Sequence, residues 1–431
     1  MGDLTIFYLA LIIALITRQQ YPLSISTWDA HFWPFTIFFF LWLANFFING
    51  FYDLKISYNN GSLLNNIFKL SLINFIVAIV GFYFAAPWLG SIKPQTTLVI
   101  LTLIAAGMLF GWRKLFYNII KSEAIANNVL ILGNSDLAQL LNKEINSRKQ
   151  LGYRANIIED IPENLKQYCI ANNINIIVPV MDIKNHQDLA KRIFECLAIG
   201  VSVYNLPLFY EQITATIPID HIDQFWFLEN LSENSKKSYD VIKRGLDIFF
   251  SIIGIIIALP FLPIIVTIIK LESAGSAFFT QIRTGKNGKP FLALKFRSMI
   301  KDAEKNGAQW ATKNDARITK FGSFMRKTRL DEIPQLINVL RGELSFVGPR
   351  PERPEFIEIL SQKIPYYKER LLAKPGLTGW AQLNGPAYGG SEAESKEKVK
   401  YDLFYVKNRS LWLDASILLK TIKIVLSGKG Q

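Results

Sequence analysis

Ile248-Phe-Phe-Ser-Ile-Ile-Gly-Ile-Ile-Ile-Ala-Leu-Pro260-Phe-Leu-Pro263-Ile-Ile-Val-Thr-Ile-Ile269 is a run of 22 residues without a charge, and its reading decides the architecture. As a helix rising ~1.5 Å per residue it is about 33 Å long, enough to cross a ~30 Å hydrocarbon core. Two prolines stand within it. Each removes a backbone donor and clashes with the preceding turn, which favours a break where the helix turns back within one leaflet. Lys243 and Arg244 precede the run and Lys270 follows it, so both flanks suit the same anionic surface. A kinked but ordinary crossing is the competing reading.

Upstream, four further apolar runs cover roughly Leu4 to Ile16, Pro34 to Phe51, Ile67 to Leu89 and Thr96 to Trp112, and they read as four transmembrane helices over residues 1–120. The first is short and lacks a basic leader, which argues against a cleaved secretory signal. Arg113, Lys114 and Lys121 follow the last run and place that side in the cytoplasm. Half of the 431 residues are hydrophobic and only 19% are charged. Such a composition excludes a disordered chain and an ordinary soluble enzyme.

Between the two apolar regions, over residues 121–235, the composition is that of a soluble domain. Val129 to Leu132 reads as a buried strand, Gly133 to Asp136 as a turn and helix start, and Asn175 to Val180 as a second buried parallel strand. The alternation predicts a Rossmann-like α/β module. A dinucleotide fingerprint needs glycine where Ser135 and Ala138 stand, so a structural or regulatory module is favoured over a cofactor site. Cys169 and Cys196 have no metal spacing and read as buried small hydrophobes. The three histidines, His31, His186 and His221, are scattered and make imidazole chemistry a poor candidate.

From residue 271 onward 28 Lys and Arg stand against 16 Asp and Glu, a surplus of 12 that holds nearly all of the net charge of +13. Phosphate groups, a lipid surface or nucleic acid are the partners such a surplus suits. The aromatic-interleaved basic motifs of RNA modules are missing, so nucleic acid is not expected. Arg283, Lys295, Arg297, Arg326 and Arg350 recur in loop-like settings and together could line a polyphosphate pocket, because guanidinium forks match phosphate oxygens. In their midst stands Arg329-Leu-Asp331-Glu332-Ile-Pro334, followed by an apolar stripe and Gly342. The pattern predicts a helix with Asp331 as its N-cap and Gly342 as its stop. Capping alone explains an acidic pair there. The functional alternative uses the same geometry, since a helix start favours an ionised carboxylate able to attack phosphorus. Two like charges ~4 Å apart at an effective dielectric of ~20 repel by about 4 kcal/mol. That is about three decades in rate, which the cations and a Mg²⁺ on Asp331 and Glu332 would have to cancel.

Several ordered motifs resemble the bacterial sugar transferase family, the monotopic polyprenyl-phosphate phosphoglycosyl transferases. They are Lys243-Arg244 with Asp247, Pro260, Phe278-Phe-Thr-Gln-Ile-Arg283, Lys295-Phe-Arg-Ser-Met299, Asp331-Glu-Ile-Pro-Gln335, Asn338 through Gly348-Pro-Arg350-Pro351, and Lys374-Pro-Gly-Leu-Thr-Gly-Trp-Ala-Gln-Leu-Asn-Gly385. The resemblance spans residues 240–425. It implies a catalytic domain over residues 236–431, with a re-entrant membrane helix at about 243–270 broken at Pro260 and with Lys243 and Arg244 near lipid headgroups. It implies a ping-pong reaction in which Asp331 attacks the β-phosphorus of a UDP-sugar, releases UMP and passes the sugar phosphate to polyprenyl phosphate. Glu332 would bind Mg²⁺ or move a proton, Arg326 and Arg350 would hold phosphates, and Asp402 would lie near the site. The setting implied is the bacterial inner membrane with the catalytic domain on its cytoplasmic face, starting exopolysaccharide, capsule or O-antigen synthesis. Many members carry Ser-Pro-Gly-Pro where this chain has Ser273-Ala-Gly-Ser276, and Ser where Leu259 stands; both departures concern turn geometry. The rival readings are a direct glycosyl transferase, against which the missing D-x-D motif counts, and an inactive membrane scaffold or ligand-binding regulator of glycan assembly. Residues 128–230 are expected to offer an interaction surface or to support a homodimer.

Overall fold

The computed structural model describes residues 2–19, 24–53, 60–85, 94–121, 126–231, 236–300, 317–386 and 391–426. The chain forms two compact units, Met1–Leu206 and Pro207–Gln431. The last residues of the third apolar run, 86–89, and the expected domain junction at 232–235 lie outside the described residues.

The first unit opens with helices α1 (Gly2–Gln19), α2 (Ile25–Ile48), α3 (Asn60–Ala85) and α4 (Pro94–Lys121). Their facing sides interlock around Phe7, Leu11, Phe39, Phe46, Ile67 and Leu98, all almost fully buried. Among the described residues four helices are long and apolar enough to cross a membrane: Ile25–Ile48, Asn60–Ala85, Gln95–Ile120 and the continuous stretch Lys237–Glu272. α1, with 18 residues, is about 27 Å long, at the short end of the ~17–25 residues of a crossing. It is tied to α4 by a buried ion pair between Asp3 and Arg113. Arg113 also lies 4.7 Å from the centroid of the Phe51 ring. That guanidinium is thus spent inside the bundle.

The α/β module follows as β1 (Asn127–Leu132), α5 (Asp136–Ser147), β2 (Tyr153–Ile158), α6 (Leu165–Ala171), β3 (Ile174–Pro179), α7 (Gln187–Leu197) and β4 (Ser202–Val203). The sheet order is β2-β1-β3-β4 and every pair is parallel. β1 is the central strand, and Val129 to Leu132 are buried on both faces as an apolar run requires. Ser135 caps α5, its Oγ accepting the Ala138 amide at 3.2 Å, so the residue found where a fingerprint glycine would be serves the helix start. Cys169 and Cys196 are buried between α6 and α7.

The second unit begins earlier than the composition suggested. α8 (Leu206–Thr214) and α9 (Gln224–Asn230) belong with it, and Ile217, Ile219 and Trp226 share one core with Ile357, Leu360, Val399 and Leu403. α10 (Lys237–Ala258) and α11 (Leu262–Glu272) are joined by a 3₁₀ turn at Leu259–Phe261 that contains Pro260. The antiparallel hairpin of β5 (Phe278–Thr284) and β6 (Pro290–Phe296) leads to α12 (Lys320–Thr328) and α13 (Leu336–Arg341). β7 (Ser345–Val347), α14 (Pro354–Lys363), β8 (Gly376–Thr378), α15 (Trp380–Asn384), α16 (Glu392–Asn408) and α17 (Leu411–Leu426) complete it.

Candidate active site

Asp331 and Glu332 lie in a 3₁₀ segment, Leu330–Gln335, that runs into α13 and ends as expected at left-handed Gly342. Pro334 has no amide hydrogen to donate. The expected capping role is not found: the residue at the cap position is Arg329, and no side chain caps the segment. Arg329 is itself left-handed, with φ 59°. A side chain in that conformation costs on the order of 1 kcal/mol or more, and it sets the turn that presents the acidic pair.

The pair is held against β6 by Asn338. Its Oδ1 accepts the Leu294 amide at 3.0 Å and its Nδ2 donates to the Leu292 carbonyl at 2.7 Å, so α13 borrows the hydrogen bonds of a neighbouring strand. This register brings Lys295 to Glu332, Nζ to Oε1 at 2.9 Å. Arg350 reaches the same oxygen at 3.1 Å and Arg329 lies 3.5 Å from Oε2. Burial pushes the Glu332 carboxyl up, but Lys295, Arg350 and Arg329 together outweigh it and hold the group well below the usual carboxylate range. Asp331 is 7% exposed, and its carboxylate accepts no hydrogen bond among the described residues. Burial raises its pKa, Lys295 opposes the rise and Glu332 adds to it. Two adjacent carboxyls are thus driven in opposite directions by their surroundings: one is pinned as an anion, the other is desolvated and unengaged.

Arg350 is placed by a close crossing of two backbones. A Cβ on Gly348 would lie 2.2 Å from the Lys374 carbonyl oxygen, and one on Gly376 would lie 2.1 Å from the Gly348 nitrogen. Only glycine fits at either position. The Gly376 amide donates to the Pro349 carbonyl at 3.0 Å, and Arg370 donates to the Arg350 carbonyl at 3.0 Å. Arg370 is in turn held by Asp402 at 2.7 Å, both side chains almost fully buried. Asp402 therefore acts on the site through Arg370, and burial raises its pKa against that pairing.

The remaining predicted residues divide. Arg326 favours the charged form of Asp331, and its Nε donates to Ser298 Oγ at 2.8 Å. Arg283 donates to the Pro351 carbonyl at 3.1 Å and pairs loosely with Glu352 at 3.7 Å, steadying the segment after Arg350. Arg297 turns away: it donates to the carbonyls of Ser273 and Ala274, beside Gly275 at φ +118°, and clasps the turn after α11. The residues assigned to headgroups are engaged within the protein. Lys243 pairs with Asp414 at 2.5 Å. Arg244 donates to the Val339 and Leu340 carbonyls, both at 2.6 Å, satisfying the end of α13. Asp247 accepts from Ser345 Oγ and the Phe346 amide. Sequence reasoning missed Arg329 and Arg370 as partners of the site. Neither carries a local signal, since one is recognised by a backbone angle and the other by a partner 32 positions away.

These elements define a membrane protein whose second unit gathers an acidic pair among cations. Residues 238–428 match the family model described as bacterial sugar transferase. The chain is 39% identical over 237 residues to the UDP-N-acetylgalactosamine-undecaprenyl-phosphate N-acetylgalactosaminephosphotransferase of Aeromonas hydrophila, covering 54% of this chain and 55% of the relative. It is 52% identical over 141 residues to a putative undecaprenyl-phosphate N-acetylgalactosaminyl 1-phosphate transferase of Bacillus subtilis, covering 33% of this chain and 78% of the relative. It is 41% identical over 199 residues to the UDP-glucose:undecaprenyl-phosphate glucose-1-phosphate transferase of Xanthomonas campestris, covering 45% and 41%. The chain belongs to the bacterial sugar transferase family. It spans about half the length of the first of these relatives.

Proposed function

We propose that the protein transfers a sugar 1-phosphate from a UDP-sugar to a polyprenyl phosphate such as undecaprenyl phosphate, through a covalent intermediate on Asp331. The observation that carries this reading is the unengaged, buried Asp331 carboxylate beside a Glu332 neutralised by three cations. An Asp331 oxygen bonds to the β-phosphorus as the bond from that phosphorus to the bridging oxygen breaks, and UMP leaves with the electron pair. An oxygen of polyprenyl phosphate then attacks the same phosphorus and returns the carboxylate. Arg350, Lys295 and Arg326 would stabilise charge on the transferred phosphate, which is where preorganised cations contribute most.

Magnesium suits the donors present. Among the described residues no group of three acidic, His or Cys side chains gathers, and Mg²⁺ is commonly held by one or two carboxylates completed by substrate phosphate oxygens and water. Asp331 would hold it, Glu332 would join only on releasing Lys295, Arg350 or Arg329, and when bound the ion would neutralise charge on the leaving diphosphate.

The re-entrant reading of residues 243–270 is supported by anchors at both ends. Asp247 on α10 bonds to β7, while Ile265 and Ile269 on α11 pack with Phe296 and Met325. A helix fixed to one folded body at both ends has no reason to carry it across a bilayer. The parallel order β2-β1-β3-β4 suits a Rossmann-like module. A UDP-sugar donor would put the catalytic domain on the cytoplasmic face of the inner membrane, and the product would start a bacterial glycan. Purified protein with polyprenyl phosphate, Mg²⁺ and a panel including UDP-glucose and UDP-N-acetylgalactosamine tests the reading. UMP release and a phosphosugar adduct are expected from the wild type and neither from Asp331→Asn. Turnover by that variant, or release of UDP, would overturn the reading.

A further inference from the structure

At the root of α10 lies a cavity of about 160 Å³ that shares no residue with the acidic pair or the cations around it. Five cations and two carboxylates line it. Internal bonds consume part of that charge. Lys243 is taken by Asp414 at 2.5 Å, Arg409 lies 3.8 Å from Asp240, and Asp247 accepts from Ser345 and Phe346. Three cations then remain without a carboxylate partner among the described residues. They are Arg244, whose hydrogen bonds run to the Val339 and Leu340 carbonyls, Lys286 at the tip of the β5–β6 hairpin, and Lys374 in the loop before β8. Neither lysine has an ion-pair or hydrogen-bond partner there, and both are half-buried. Burial, then Arg244, push the Lys374 ammonium below its ordinary value, with Lys286 adding and Asp247 and Asp240 opposing, a cost that a bound anion would relieve.

The depth of the cavity points to the anion. Lys243 precedes the first residue of the apolar run by five positions, about 7 Å along a helix. The headgroup layer on each side of a bilayer is about 5–8 Å thick. On the same helix Val241, Ile242, Leu246 and Phe249 are exposed, so its outer face is apolar while its charged face lines the cavity. At about 160 Å³ the cavity is roughly tenfold above the ~10–15 Å³ that holds one water, room enough for a phosphate group.

We infer that Lys286, Lys374 and Arg244 form a binding site for the phosphate of an anionic phospholipid that is not consumed, seating the second unit at the headgroup layer. The site is separate from the reacting carboxylates, and the inference does not depend on the phosphotransfer reading, because its test scores lipid retention and not turnover.

The full-length protein is placed in nanodiscs of mixed phosphatidylglycerol and phosphatidylcholine, extracted into detergent, washed, and weighed by native mass spectrometry. Wild type is expected to keep phosphatidylglycerol at least tenfold over phosphatidylcholine. Lys286→Gln/Lys374→Gln is expected to lose that preference with an unchanged circular dichroism spectrum, and Lys374→Arg to retain it. A control with the same charge change elsewhere, Lys363→Gln/Lys396→Gln, is expected to behave as wild type. The inference is overturned if the pocket variant keeps its preference or if the control loses it equally. Displacement of the lipid by 10 mM inorganic phosphate would assign the cavity to free phosphate instead. Displacement by equimolar polyprenyl phosphate would assign it to the acceptor, and either result would also refute the inference.

Discussion

Replacing each member of the acidic pair by its amide is expected to affect stability differently, with a loss at Glu332 and none at Asp331. Glu332 neutralises Lys295, Arg329 and Arg350 at 2.9, 3.5 and 3.1 Å, and its side chain is 11% exposed. Breaking a fully buried pair by removing one partner costs ~3–5 kcal/mol. The three cations are 24–36% exposed, so water screens part of their loss, and Glu332→Gln should cost about 2–3 kcal/mol. For a unit of this size that is about 5–10 °C in Tm. Asp331 is buried without a hydrogen bond, and its raised pKa means that ionisation costs the folded state free energy. Asp331→Asn should leave Tm unchanged or raise it.

The pH dependence follows with the same signs. The Asp331 penalty is present above its raised folded pKa and vanishes as pH falls to the unfolded value near ~3.9. The Glu332 contribution is fully present above the unfolded value near ~4.3 and is lost as pH falls below that toward its depressed folded pKa. Differential scanning of detergent-solubilised protein at pH 7.5, 5.5 and 4.5 reads both. The Asp331→Asn difference should shrink across this series while the Glu332→Gln difference persists. Equal shifts of one sign in the two variants at pH 7.5, or a loss above ~1 kcal/mol in Asp331→Asn, would refute the assignment of roles.

Three further outcomes concern the scaffold. Asp402→Ala leaves Arg370 buried and unpaired and should cost ~3–5 kcal/mol, whereas the apolar pair Asp402→Leu/Arg370→Met should recover more than half of that loss in thermal unfolding. Gly376→Ala forces a methyl to 2.1 Å from a backbone nitrogen and should abolish accumulation of folded protein. Gly245→Ala in α10, where a Cβ meets nothing within 4 Å, should be neutral or stabilising by about 0.5–1 kcal/mol, scored by yield after size-exclusion chromatography.

The sequence reached most of the secondary structure because its signals are local. Apolar length marked the membrane helices, a continuous Val129–Leu132 run marked the central parallel strand, and Gly342 marked the end of α13. The acidic pair and its cations were also visible as residue types in one stretch. Their division of labour was not. Whether a carboxylate caps a helix, pins cations or stands unengaged depends on neighbours that arrive from elsewhere in the chain, as Lys295 and Arg350 arrive at Glu332.

The chain by itself therefore determined what can enter lipid, what must bury, and which charges are available, since those properties follow from composition and period. Only the tertiary structure decided that Lys243 serves the protein's own Asp414 and Arg297 its own carbonyls, while Arg244, Lys286 and Lys374 line one cavity with no carboxylate paired to them among the described residues. The reason is that electrostatic partnership acts over a few ångströms, and those distances are set by the glycine crossing at Gly348 and Gly376 and by the strand-like grip of Asn338 on β6.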